Sequence, residues 1–195
     1  MITIDWDILS KVQDIFGCKL LDGVIPKISL LGEIGIIWLV FAAVLFIKPK
    51  YRPLSVLIVV CLIVELIVGN GILKHLFARL RPFDQSNHAE WVQYLGANFK
   101  LKINPPIDHY SFPSGHAFSC GICATIITLY KKNLGFIAIP IALIMCFSRI
   151  YLCVHFPSDV FAGLIIGIVL AIVVWNVYRK FFEDKLNKVF KLDRA

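Results

Sequence analysis

The feature that most constrains this chain is a series of apolar runs long enough to cross a bilayer. A helix rises about 1.5 Å per residue, so a hydrocarbon layer about 30 Å thick needs roughly 20 residues. Five runs approach that length: Ile28 to Ile47, Leu54 to Leu73, Ala117 to Tyr130, Leu134 to Phe147 (extending to Val154) and Val160 to Tyr178. The third needs the preceding Phe112-Pro113-Ser114-Gly115-His116 to reach full length. The third and fourth are short for free spans and are expected inside a bundle. The predicted fold is all-α, a polytopic helical membrane bundle with five or six transmembrane helices. Residues 1–195 are read as a single integral-membrane domain.

Composition supports this class. The chain is 58% hydrophobic and 17% charged, whereas soluble domains are about half apolar and about a quarter charged. Abundant apolar residues exclude a disordered chain, and the lack of a glycine repeat excludes a collagen-like one. The net charge of +7 would suit nucleic acid. The basic residues instead fall in short clusters between apolar runs, so a lipid bilayer and not a nucleic acid is the expected partner. Of six cysteines, Cys61, Cys120, Cys123, Cys146 and Cys153 lie in or beside apolar segments. Cys120 and Cys123 lack a second pair at zinc spacing, so no metal is expected.

Residues 1–27 carry Asp5, Asp7, Asp14 and Asp22 where a signal peptide needs basic residues. Ile4, Ile8, Val12, Ile15 and Phe16 follow a helical stripe, which predicts an interfacial amphipathic helix, with an extra span as the alternative. Lys48, Lys50 and Arg52 follow the first run, Lys131 and Lys132 the third. The tail at 179–195 holds Arg179, Lys180, Lys185, Lys188, Lys191 and Arg194. With five spans these clusters share one side, which the positive-inside rule makes cytoplasmic. The polar stretch Phe83 to Ser111 then lies on the outer face. It reads as a lid or entry loop, or as an ordinary surface excursion, with Trp91, Tyr94 and Phe99 suited to headgroup level.

Four polar clusters fall on that outer side. Lys74 and Arg81 are seven residues apart and would share a face if the second helix ran on to Pro82. Arg79 fits a snorkelling helix end. Pro113-Ser114-Gly115-His116 precedes an apolar helix: serine can cap, glycine allows close approach, and the first helical N–H groups suit an anion. Arg149 can fork onto phosphate oxygens. His155 and Asp159, four residues apart, are spaced for the carboxylate to accept an imidazole N–H, and Pro157 is tolerated at a helix start.

The order Lys74-x6-Arg81-Pro82, Pro113-Ser114-Gly115-His116 and Ser148-Arg149-x5-His155-x3-Asp159 resembles the three-part signature of the type-2 phosphatidic acid phosphatase superfamily, which also holds the vanadium-dependent haloperoxidases. No motif position departs from it. The resemblance implies the helical core of that superfamily and a set of roles. His155 would attack phosphorus to form a phosphohistidine, oriented by Asp159, while His116 would protonate the leaving oxygen and then activate water. Lys74, Arg81, Ser114, Gly115 and Arg149 would hold the phosphate oxygens, with no metal or other cofactor. A membrane lipid phosphate is the implied substrate. Undecaprenyl diphosphate is the leading choice by analogy with bacterial members, and phosphatidylglycerophosphate and phosphatidic acid are the alternatives. A non-catalytic lipid-phosphate binding or transport role is the reading from a different class.

Two features lie outside the signature. Glu65, inside the second run, reads either as a bundle-facing hydrogen-bonded carboxyl or as a site residue. Gly163, Gly167 and Ala171 form a small-residue stripe suited to close helix packing, within one chain or in a homodimer.

Overall fold

The computed structural model describes residues 2–96, 99–102 and 109–192. Parts of the Phe83 to Ser111 stretch (97–98 and 103–108) and the basic residue Arg194 lie outside the described residues. The architecture is all-helical: α1 (Ile2–Phe16), α2 (Lys19–Leu30), α3 (Ile36–Phe46), α4 (Arg52–Glu65), α5 (Lys74–Phe77), α6 (His88–Leu95), α7 (Gly115–Tyr130), α8 (Lys132–Tyr151), α9 (Pro157–Val177) and α10 (Glu183–Val189). Between α4 and α5 the helix widens to a π turn over Leu66–Leu73, so 49–77 forms one continuous rod.

Of the expected five or six spans, helix length and composition support three or four. Among the described residues, three helices are long and apolar enough to cross a membrane: Pro49–Phe77, Lys132–Tyr151 and Pro157–Val189. A fourth is reached only if α2 and α3 count together, and they are bent by 55°. The bend lies where Ile34 (φ 54°) and Gly35 (φ 70°) take left-handed conformations, which helices do not continue through. The third run, α7, has only 16 residues. It sits inside the bundle, with Ala117, Phe118, Cys120, Ile122, Cys123, Ile126 and Ile127 buried. A helix shielded by its neighbours need not match the full lipid thickness.

Glycine sets how closely α7 approaches α9. A Cβ on Gly163 would lie 2.6 Å from the Ser114 carbonyl, and one on Gly167 would lie 2.5 Å from that of Phe118. From the other side, a Cβ on Gly121 would meet the Leu164 carbonyl at 2.4 Å. The small-residue stripe therefore packs within the chain. The three long helices turn Val60, Leu143, Ile144, Phe161, Ile165 and Val169 outward, an apolar belt suited to lipid. The five cysteines of the apolar segments are buried free thiols.

One end of the bundle collects the basic clusters. Tyr130 donates to the Lys50 carbonyl at 3.1 Å, Phe46 meets Phe190 at 6.0 Å and Tyr130 meets Trp175 at 6.2 Å. The other end carries α1, α6 and the signature residues. On α1 the sequence stripe is not the buried face: Ile4, Ile8 and Ile15 are exposed, while Asp5, Trp6 and Leu9 are buried. Trp6 stacks on Tyr94 and meets the edge of Phe156, and Trp91 packs on Phe99. The loop aromatics thus turn inward to a second small core instead of standing free at headgroup level.

Candidate active site

Each signature residue is delivered by a backbone feature close to it. Lys74 begins α5 and is buried. The helix does not continue to Pro82: it stops at Phe77, where Ala78 turns left-handed (φ 45°) and its N–H bonds to the Lys74 carbonyl at 2.9 Å. Beyond it the chain is extended. Leu80 bridges to Tyr110, and the Ser111 N–H donates to the Arg79 carbonyl at 2.7 Å. Those bonds replace the partners a continued helix would have supplied. Residues two apart on extended chain share a face. Arg79 and Arg81 therefore both point at the segment entering α9, and Arg81 reaches the site by this route instead of along a helix face.

Ser114 is the N-cap residue of α7, with its backbone N–H bonded to the Asp159 carbonyl at 3.1 Å. Its side chain does not cap the helix. Instead Ser114 Oγ is buried without a hydrogen-bond partner among the described residues. Gly115 and His116 follow in the first turn of α7. His116 Nε2 lies 3.3 Å from the Ser29 carbonyl at the end of α2. Gly32 lets the α2–α3 bend pass over this ring, since a Cβ there would lie 2.5 Å from His116 Cδ2. Arg149 closes α8, donates from Nη1 to Ser29 Oγ, and keeps Nε buried with no partner among the described residues.

His155 sits in the short connection between α8 and α9 and is 2% exposed. Its Nδ1 is 2.8 Å from the Ser111 carbonyl, and Nε2 is 3.0 Å from Arg81 Nη1. A carbonyl can only accept, so Nδ1 carries the proton and Nε2 presents its lone pair. Burial and the charges of Arg81 and Arg149 hold this imidazole well below the usual histidine range. The ring is therefore neutral near pH 7. The expected direct bond from Asp159 is not formed: Asp159 Oδ2 stands 3.9 Å from Nδ1. As the third residue of α9, Asp159 turns back to accept the Phe156 N–H at 2.8 Å, which caps the helix. Its other oxygen takes Arg79 at 2.6 Å.

Lys74, Arg81, Gly115, His116, Arg149 and His155 all line one cavity of about 940 Å³. Leu39, Val59, Leu62, Ile63 and Leu66 form its apolar wall on α3 and α4. Glu65 also lines it, accepting from Asn70 Nδ2 at 2.9 Å, with Oε1 3.2 Å from where a Gly115 Cβ would sit. Glu65 thus borders the glycine of the candidate anion loop. Sequence reading missed Ser29, Asn70, Arg79 and Ser111. Ser111 acts through a backbone carbonyl, which leaves no mark in a sequence. Arg79 carried one signal: it is two residues from Arg81, the spacing that shares a face on extended chain but not on a helix.

A family model for the PAP2 superfamily matches residues 52–183, a range that holds every signature position. An undecaprenyl-diphosphatase of Sulfolobus acidocaldarius is 30% identical over 148 residues, covering 75% of this chain and 66% of that protein. Phosphatidylglycerophosphatase B of Bacillus subtilis is 30% identical over 110 residues, 51% of each chain. The match thus spans from about half to just under two thirds of those two relatives. The crystal structure of a transmembrane PAP2-type phosphatidylglycerolphosphate phosphatase from Bacillus subtilis superposes with a TM-score of 0.68 at 23% identity, covering 92% of this chain and 86% of that one. That likeness carries the fold. The chain belongs to the PAP2 superfamily and is homologous to undecaprenyl-diphosphatases and to phosphatidylglycerophosphatase B.

Proposed function

We propose that this protein is an integral-membrane lipid phosphatase working through a phosphohistidine, with undecaprenyl diphosphate as its substrate. The observation that carries the reading is the single cavity. Three buried cations, two histidines and a helix start share it with a wall of apolar side chains from α3 and α4. Arg149, which lines it, keeps Nε buried with no partner among the described residues, as does Ser114 Oγ on the residue before the lining Gly115. Such groups are costly unless a ligand completes them. A tetrahedral anion with several acceptor oxygens fits that demand, and the apolar wall suits its lipid tail.

In this mechanism His155 Nε2 forms a bond to the terminal phosphorus as the bond to the bridging oxygen of the departing undecaprenyl phosphate breaks. His116 gives that oxygen its proton. Water then loses a proton to His116 and attacks the phosphohistidine, releasing phosphate and restoring Nε2. Lys74, Arg81, Arg149, Ser114 Oγ and the Gly115 N–H hold the non-bridging oxygens. Phosphoryl transfer depends chiefly on positioning and charge stabilisation, which three cations supply without a divalent metal. The Ser111 carbonyl fixes the tautomer, and Asp159 supplies negative charge near the ring as it becomes cationic. The outer face of the membrane is the proposed side of the site, because the basic clusters at the opposite end suit the cytoplasm.

The diphosphate reading is supported by the name of the Sulfolobus relative. Phosphatidylglycerophosphate is the second reading, favoured by the name of the Bacillus relative. Phosphate release should be measured from undecaprenyl diphosphate, phosphatidylglycerophosphate and phosphatidic acid in matched detergent micelles, with EDTA present. The expected outcome is a preference for the first and no turnover in His155→Ala. Full turnover by that variant would overturn the nucleophile assignment.

A further inference from the structure

Arg79 lies outside the three-part signature, and Asp5 lies outside the residues the family model matches. Both nevertheless meet at the edge of the site. Arg79 Nη1 donates to Asp159 Oδ1 and to Ser158 Oγ, each at 2.6 Å, while Nη2 donates to Asp5 Oδ2 at 2.8 Å. Asp5 also accepts from Ser158, from its N–H at 2.9 Å and from its hydroxyl at 2.6 Å. The guanidinium stands 4.2 Å over the Phe156 ring, and Trp6 meets that ring edge-on at 5.2 Å. Asp5 is 3% exposed and Asp159 is fully buried.

Ionised carboxylates buried this deeply persist only with compensating charge and hydrogen bonds. One guanidinium serves both acids. Arg79 with Asp159 alone would be neutral, and the negative field of Asp159 at the His155 ring would be largely cancelled. With Asp5 included, the group carries a net charge of one negative unit beside a ring that turns cationic when it bonds phosphorus.

Resting on the phosphohistidine reading above, we infer that Asp5, on the N-terminal helix, is a positioning residue for phosphoryl transfer. It holds Arg79 against Asp159 and balances its charge, so that Asp159 keeps its field for His155. The first helix is then part of the working site and not a mere membrane attachment.

The test uses the full chain in detergent micelles, with Asp5→Asn, Arg79→Gln, the double variant, and Asp7→Asn on the exposed side of α1 as control. Two quantities are read: kcat and KM on the lipid phosphate turned over in the panel, and the affinity for orthovanadate, a phosphate mimic that accepts a fifth ligand. Asp5→Asn is expected to lower kcat about tenfold, with KM within about twofold and weaker orthovanadate binding. The double variant should match Arg79→Gln, because Asp5 acts through that side chain. Asp7→Asn should match the wild type. Wild-type kcat and orthovanadate affinity in Asp5→Asn would overturn the inference, as would losses that multiply in the double variant. Arg79→Lys keeps a charge but cannot reach both acids together. It is expected to lose kcat, and wild-type kcat there would overturn the inference even if Asp5→Asn failed to fold. No release from any of the three lipids by the wild type would count against the phosphatase reading alone, since the orthovanadate comparison needs no turnover.

Discussion

His155 is held from both sides of its ring, by the Ser111 carbonyl at Nδ1 and by Arg81 at Nε2. Burial and the charges of Arg81 and Arg149 keep it neutral well below the usual histidine range. A neutral ring is the nucleophilic form, so the acid limb of kcat/KM assigned to it should lie below pH 6.5. Arg81→Gln removes one of the charges opposing protonation. That variant should show the limb moved upward toward the ordinary histidine value, whatever its loss in rate; a limb that stays in place would separate Arg81 from the tuning of His155. Ser114 invites a different experiment. Its buried hydroxyl makes no bond among the described residues, so Ser114→Ala should leave the melting temperature unchanged or slightly raised. The same variant should lose about tenfold in kcat/KM, because the hydroxyl is made for a phosphate oxygen.

At the scale of elements, the contact between α7 and α9 positions the loop before α7. Gly163 faces the Ser114 carbonyl, where an added Cβ would stand 2.6 Å away, and backbone cannot swing aside as a side chain can. Gly163→Ala and Gly167→Ala should each cost about 1–3 kcal/mol by overpacking, read from thermal unfolding in micelles. Gly163→Ala should also reduce activity, since the displaced carbonyl belongs to Ser114, which the proposed mechanism uses. Gly23 is the control: no atom lies within 4 Å of where its Cβ would stand, and alanine there should be near neutral. The extended stretch after α5 is a second instance of an element set by its partner. Ala78 accepts a left-handed conformation because the Leu80 to Tyr110 pairing and the Ser111 bond hold the chain beyond it.

For the whole molecule, the arrangement is polar along the membrane normal. Basic clusters occupy one end of the bundle, and the cavity lies away from them, bordered by the α2–α3 bend, α3 and α4. On a background with the exposed Cys18 changed to serine, Ser86→Cys and Lys132→Cys should respond oppositely to a membrane-impermeant maleimide. Intact cells should label the first and not the second, and the reverse pattern would invert the proposed orientation. The remaining cysteines are buried and should stay silent.

The amino-acid order alone determined the helical membrane class, the gathering of basic loops, and which polar residues to propose for a phosphate site, because apolar run length and side-chain chemistry are local properties. It could not determine the number of full-length spans. Whether α7 faces lipid or protein, and whether α2 and α3 make one rod, depends on what packs around them. Nor could it reveal that His155 leans on a backbone carbonyl 44 residues away, or that Asp159 is shared with Arg79. Those facts were decided by tertiary structure. Hydrogen bonds go to whichever partner the fold brings within about 3 Å, and sequence spacing carries no record of that distance once the chain leaves its helices.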